Sequence, residues 1–276
     1  MRTLQEAIDK MQNKGAAGAS LRKHLNAVGI SEWEDITRSS LYELRDHLTS
    51  TMAPSTAKTV MAYAKALFNR YCEDVELPKG WQKILSCKNQ KPMKTYLTET
   101  ELNMLAATRT HTPRQEYVKN LFLICAYTGL RVGDAMNLTP ENISEGTVRY
   151  VAQKTKKAGV VPLKPGLEER IAWIAGHPEF KVTPKCYNEA IRTLCKRAGI
   201  NDEVVVLKAG KELKGPKYEF ISSHSARISM ATCLNRRGVS TEEISRVLQH
   251  SSSAITARYI IPSNEGFSSA AMAFFS

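Results

Sequence analysis

The stretch Ser223–Tyr259, SHSARISMATCLNRRGVSTEEISRVLQHSSSAITARY, decides how the rest of the chain is read. Ile228, Ala231 and Leu234 recur at helical spacing and the run closes at Gly238, which predicts an amphipathic helix beginning near Ser225 with a glycine cap. His224 and Arg227 lie three apart at its start, so both side chains can face one way beside the positive end of the helix dipole, where an anion is favoured. A second helix, TEEISRVLQ, follows Ser240 and delivers His250 just past its end. A serine-rich turn then leads to Tyr259, nine residues beyond His250. Two histidines, an arginine and a tyrosine form a set suited to holding a phosphate and attacking it.

A His-x-x-Arg pair alone is more often a capped surface pair than a catalytic one. Upstream, however, lies a second arginine at a glycine turn, Thr128-Gly129-Leu130-Arg131. TGLRVGD, HSAR and QHSSSAITARY, in that order, resemble the tyrosine recombinase (phage integrase) family, over roughly Leu97 to Ile261. The resemblance implies a mainly α fold with a small β-sheet, in two domains: an N-terminal all-helical core-binding domain and a C-terminal α+β catalytic domain.

The 276 residues and 42% hydrophobic content suffice for one large or two modest cores. Neither a membrane-length apolar run nor a signal-peptide pattern stands out, so the expectation is a protein of the bacterial cytoplasm and nucleoid with no membrane partner. Cys72, Cys87, Cys125, Cys186, Cys195 and Cys233 lack metal-ligand spacing and read as reduced core thiols. The net charge of +12 is uneven: 13 Lys and Arg oppose 10 Asp and Glu in residues 1–90, whereas 26 oppose 17 in residues 91–276. Such an imbalance suits a polyanion, because phosphate-neutralising side chains release counterions, although charge alone also allows a membrane surface or an acidic protein.

LQEAIDKM, SLRKHLNAV, SSLYELRDHL and STAKTVMAYAKALFNRYC each carry a helical apolar period, with stops and caps at Gly29, Ser39 and Pro54-Ser55, so residues 1–84 read as a helical domain. Lys58, Lys65 and Arg70 on its last helix are candidate DNA-backbone contacts, or simply a solvated basic face. Residues 85–96 are polar, contain Pro92 and lack an apolar period, which predicts an interdomain linker whose Lys88, Lys91 and Lys94 run close to DNA. The catalytic domain follows at 97–265. It opens with a Thr98/Glu101 capping box, and an apolar helix through QEYVKNLFLICAYTG places Arg131 on rigid scaffold. Asp134 is either the acidic group that orients Arg131 or an ordinary helix-start carboxylate.

Between Ile143 and Leu163 the period shifts toward strands, TVRYVAQ and GVVPL, around the turn TKKAG. The resemblance places a three-stranded sheet here and implies that a hairpin lysine reaches DNA; Lys154 fits best and Lys156 is the alternative. Helices return at GLEERIAWIAG and TPKCYNEAIRTLCKRAGI, and a basic hairpin is expected around Ala209-Gly210. Residues 266–276, rich in Ala and Phe, read as an apolar tail helix that can be exchanged between protomers.

The implied chemistry follows from residue type. Arg131 and Arg227 would each offer paired N–H groups to non-bridging phosphate oxygens, with His224 and His250 adding hydrogen bonds. Tyr259 would attack phosphorus, leaving a 3′-phosphotyrosyl link, and Lys154 would protonate the departing 5′-oxygen. No cofactor and no metal are called for. Implied partners are double-stranded DNA, a homotetramer assembled on it, and accessory DNA-bending or directionality proteins. A type IB topoisomerase, or a DNA-binding regulator without catalysis, would share much of this pattern.

Overall fold

The computed structural model describes residues 3–11, 16–87, 93–208 and 210–261. It is mainly helical with two small antiparallel sheets. The chain divides into two compact units, Met1–Pro92 with Leu207–Glu212, and Met93–Val206 with Leu213–Ser276.

In the first unit, described residues form α1 (Leu4–Met11), α2 (Ala16–Ala27), α3 (Arg38–Thr51), α4 (Pro54–Tyr71) and the short α5 (Trp81–Ile84). Leu21, Leu25, Leu41, Leu44, Leu48 and Phe68 are fully buried between them, each contributing about 1.5–3 kcal/mol over leaving it in water. The cap of α3 departs from expectation. Thr37, not Ser39, is the N-cap: its hydroxyl accepts from the Ser40 amide while the Ser40 hydroxyl accepts from the Thr37 amide. Pro54 opens α4, whose missing N–H costs nothing in a first turn.

In the second unit, α6 (Glu99–Ala107) starts at the expected box, with Thr98 capping the Glu101 amide and Glu101 returning the bond. α7 (Pro113–Thr128) is buried almost all round from Tyr117 onward and forms the axis of the core. The short α8 (Val132–Ala135) follows. A three-stranded antiparallel sheet is built from β1 (Ile143–Ser144), β2 (Thr147–Val151) and β3 (Ala158–Pro162), in the order β1-β2-β3. Val148 pairs with Val161 on the buried face and Tyr150 with Gly159, while Arg149, Val151 and Val160 point outward. Next come α9 (Leu167–Gly176), α10 (Pro184–Arg197), and the hairpin of β4 (Glu203–Lys208) and β5 (Lys211–Pro216), of which Glu203–Val206 and Leu213–Pro216 belong to this unit. The unit closes with α11 (Ser223–Arg236), α12 (Thr241–Val247) and α13 (Ser253–Thr256).

Two sequence expectations need correction. Cys125 and Cys195 are core thiols, with pKa values raised by burial to about 12, but Cys72 and Cys186 are exposed. Helical period alone does not say which face of a helix a cysteine occupies. Nor does every lysine near the expected basic hairpin face solvent: Lys217, just past β5, is buried, and its ammonium donates to both Glu101 oxygens at 2.6 Å. A buried lysine is tolerable there because Glu101 supplies the opposite charge.

Candidate active site

The site is assembled where three chain reversals meet. The first is the end of α7. Gly129 adopts φ +70°, a left-handed conformation that favours glycine, and a Cβ there would stand 2.7 Å from Leu248 Cδ2 and 3.1 Å from Met230 Sδ. This turn puts Arg131 at the N-cap of α8, one-third exposed. Its Nη1 lies 3.9 Å from Oδ2 of Asp134, which is otherwise unpartnered; the buried Asp134 also accepts at Oδ1 from the Gln153 amide, 2.8 Å away. One carboxylate thus touches both the arginine and the turn that carries Lys154.

The second reversal is the start of α11. Ser222 caps it, so the helix starts at Ser223, two residues before the expected Ser225, and His224 and Arg227 fall on the first turns. Arg227 is only 2% exposed. Its Nη1 donates to the Gly129 carbonyl and its Nη2 to the Leu248 carbonyl, while Nη2 also faces His250 Nε2 at 3.0 Å. Nε is buried with no protein acceptor, leaving a donor for a ligand. Burial, followed by the charge of Arg131, lowers its pKa from the usual value.

The third reversal is the end of α12. The His250 amide donates to the Ser245 carbonyl at 3.0 Å, and Gln249 takes φ +50°. A guanidinium cannot accept, so His250 Nε2 must present its lone pair to Arg227; the ring proton then sits on Nδ1 and donates to Thr256 Oγ1, 2.9 Å away. Burial first, then Arg227, Arg131 and His224, lower the His250 pKa to about 4. His224 keeps an exposed edge, yet desolvation and then Lys94, Arg227 and Arg131 lower it to about 4 as well. Both imidazoles are therefore neutral near pH 7.

Tyr259 lies against this group. Its ring centroid is 5.0 Å from that of His224, edge to face, and 4.7 Å from that of His250; Arg227 Cζ stands 5.8 Å from it. The segment is pinned through Thr232 of α11, which donates to the Tyr259 carbonyl at 3.1 Å and accepts from the Ile261 amide at 3.2 Å.

Lys94, expected to contact DNA from the linker, has its ammonium 5.4 Å from the centre of the Tyr259 ring, and burial lowers its pKa. Its neighbours Thr95 and Tyr96 are buried and the Leu97 amide donates to Ser229 Oγ at 2.8 Å, so this end of the expected linker belongs to the second unit. Lys154 and Lys156 are both exposed in the β2–β3 turn, Lys156 at φ +55°. In the first unit, Lys58 and Arg70 are exposed on α4 and Lys65 is half-buried. Lys88, Lys91 and the tail 266–276 lie outside the described residues.

Two residues of the site carry no motif. Tyr150 on β2 is half-buried, with Arg227, Asp134 and Arg131 close enough to act on its hydroxyl. Thr232 has the same small side chain as many core threonines. Only the fold reveals either. Among the described residues no group of three or more His, Cys, Asp or Glu could hold a metal ion, and no helix is long and apolar enough to cross a membrane.

Residues 95–265 match the phage integrase family. Among curated proteins, the integrase of Escherichia phage P2 is 34% identical over 85 residues, covering 31% of this chain and 24% of that integrase. Among solved structures, the Tn1549 transposon integrase in complex with circular intermediate DNA has a TM-score of 0.71 at 14% identity, covering 100% of both chains. A lambda integrase dimer bound to a COC' core site has a TM-score of 0.68 at 14% identity, covering 97% of this chain and 98% of that one. The XerH site-specific recombinase bound to a palindromic difH substrate has a TM-score of 0.67 at 16% identity, covering 99% and 84%. At such identities the likeness is one of fold.

Proposed function

This chain belongs to the phage integrase family, and from that premise we propose that it is a tyrosine site-specific recombinase that cuts and rejoins DNA strands. The observation that carries this reading is the convergence on Tyr259 of His224, His250 and Arg227, within 5.0, 4.7 and 5.8 Å of its ring centre. The Tyr259 hydroxyl oxygen attacks a backbone phosphorus. A bond from phosphorus to tyrosine oxygen forms, the bond to the 5′-oxygen breaks, and the strand end remains as a 3′-phosphotyrosyl ester. Arg131 and Arg227 neutralise the charge gathering on the non-bridging oxygens, the neutral His224 takes the proton from the Tyr259 hydroxyl, and His250, bonded to Arg227 and Thr256, holds the Arg227 guanidinium at the phosphate. Asp134 orients Arg131. Lys154 supplies the proton that makes the departing oxygen a neutral 5′-hydroxyl; Lys156 is the alternative, two residues on.

One phosphoester is exchanged for another, so attack by a partner strand's 5′-hydroxyl reverses the step without nucleotide hydrolysis. Double-stranded DNA is the substrate, with the first unit as the core-binding domain and Lys58, Lys65, Arg70, Lys88, Lys91 and Lys94 on or near the backbone. Four protomers assemble on two duplexes, with residues 266–276 exchanged between neighbours and accessory proteins shaping the DNA. Support for DNA as the substrate comes from the net charge of +12 and from the DNA-bound complexes of similar fold.

A nicked suicide substrate tests the reading. Wild-type protein should form a covalent adduct that survives denaturant, and Tyr259→Phe should bind the same DNA yet form none. An adduct in Tyr259→Phe would move the nucleophile elsewhere; binding without any wild-type adduct would leave a DNA-binding regulator.

A further inference from the structure

Gln249 is in an uncommon situation for a residue with a side chain. It occupies the left-handed region at φ +50°, where a Cβ is crowded and glycine is cheapest. Its carboxamide lies over β3, on the bare backbone of Gly159. A Cβ added to Gly159 would stand 1.6 Å from Gln249 Nε2, 2.7 Å from its Cδ and 2.9 Å from Tyr150 Cε1. Gly159 is itself the strand partner of Tyr150. The amide therefore fills the space that any other residue at 159 would need, and Gln249 Oε1 is buried there without a hydrogen-bond partner.

The two sides of this contact lead to different parts of the site. On one side, Gln249 directly precedes His250, whose ring is already fixed by Thr256 and Arg227. On the other, β2 and β3 carry the turn with Lys154, which the bond from the Gln153 amide to Asp134 ties to the arginine side. Resting on the recombinase reading above, we propose that Gln249 is a positioning residue. Its contact with Gly159 sets the distance between His250 and the β2–β3 turn, so that Lys154 meets the leaving oxygen of the phosphate bound at Arg227 beside His250.

The contact makes a double-mutant prediction in the full chain, read as single-turnover cleavage of the suicide substrate. Displacement of a catalytic group by about 1 Å costs on the order of 10²-fold, and Gly159→Ala should lose about that much with DNA affinity unchanged. Replacing the 5′-bridging oxygen by sulfur gives a leaving group that needs no proton, and on that substrate the loss should shrink to within about threefold. Adding Gln249→Gly, which removes the amide and suits φ +50°, should make Gly159→Ala nearly silent, the two changes being strongly non-additive. Gln249→Ala, which only removes atoms, carries the same substrate comparison should Gly159→Ala not fold. Equal losses on the oxygen and sulfur substrates, or additive losses in the double variant, would overturn the proposal. Failure of the recombinase reading would show differently, as absence of any adduct with the wild-type chain.

Discussion

Arg131 and Arg227 carry the same charge but different structural duties. Arg227 is buried and holds the carbonyls of Gly129 and Leu248, whereas Arg131 is one-third exposed and leans on Asp134. Losing one preorganised donor to a developing oxyanion costs about 3–4 kcal/mol, or roughly 10²–10³ in rate, so both alanine variants should lose at least that much cleavage. Stability separates them. Arg227→Ala leaves two buried acceptors unmade, at about 1–3 kcal/mol each, and should lower the denaturation midpoint; Arg131→Ala removes the counter-charge of the buried Asp134, which keeps its bond from the Gln153 amide, and should lower it less. Equal midpoints would refute the structural role of Arg227. The site histidines give a pH prediction. Their folded pKa values, about 4, lie below the ordinary 6.5, and the buried His24 of the first unit is shifted the same way, by burial and then by His47. The unfolded chain therefore takes up protons first on acidification. The stability these groups contribute is whole above pH 6.5 and is lost as pH falls toward 4. The melting temperature of DNA-free protein should fall across that window, and His250→Asn should flatten the fall; a curve unaffected by the substitution would place the acid sensitivity elsewhere.

At the scale of elements, the site depends on where helices stop. Gly238 ends α11 as its position in the sequence foretells: the Gly238 amide donates to the Asn235 carbonyl, and Val239 reaches back to Leu234 at 3.1 Å. Gly129 ends α7 in the same conformation but with no room to spare. Gly129→Ala adds about 1–2 kcal/mol of backbone strain and about 1–3 kcal/mol of overpacking against Leu248 and Met230. Its unfolding free energy should drop by about 2–5 kcal/mol on those grounds, with cleavage falling further because Arg131 moves. Gly238→Ala meets no atom within 4 Å and should cost only the strain. Comparable losses at the two glycines would show that packing behind Gly129 is unimportant. Caps, periods and glycine stops were legible in the sequence because each is local. The burial of Lys217 on Glu101 and the contact of Gln249 with Gly159 were not, since each is decided by an element distant in the chain; Thr37 was passed over for Ser39 although its bond to Ser40 is local.

For the whole molecule, the charge excess gathers in the part that bears the candidate site, where 26 Lys and Arg of residues 91–276 oppose 17 Asp and Glu. Binding to duplex DNA should weaken steeply with salt. Six to ten phosphate contacts correspond to a loss of about 10³–10⁵ in affinity between 50 and 200 mM. A fluorescence titration across that range checks this, and a shallow slope would mean that few of the cations named here touch the backbone. The candidate set around Tyr259 could be read from sequence because its members recur in order along one stretch and one upstream turn. Tyr150 and Thr232 were not readable, because strand pairing and a helix face bring them to the site and neither step leaves a motif.

The bonds from Arg227 to Gly129 and Leu248 also limit how such a protein can change over generations. Loss of this arginine would abolish chemistry and unfasten the ends of α7 and α12 together. Loss of the Tyr259 hydroxyl removes only the attacking atom. A descendant that kept its grip on DNA while giving up cutting would be expected to discard the tyrosine first and to retain the arginine long after any phosphate had ceased to react there.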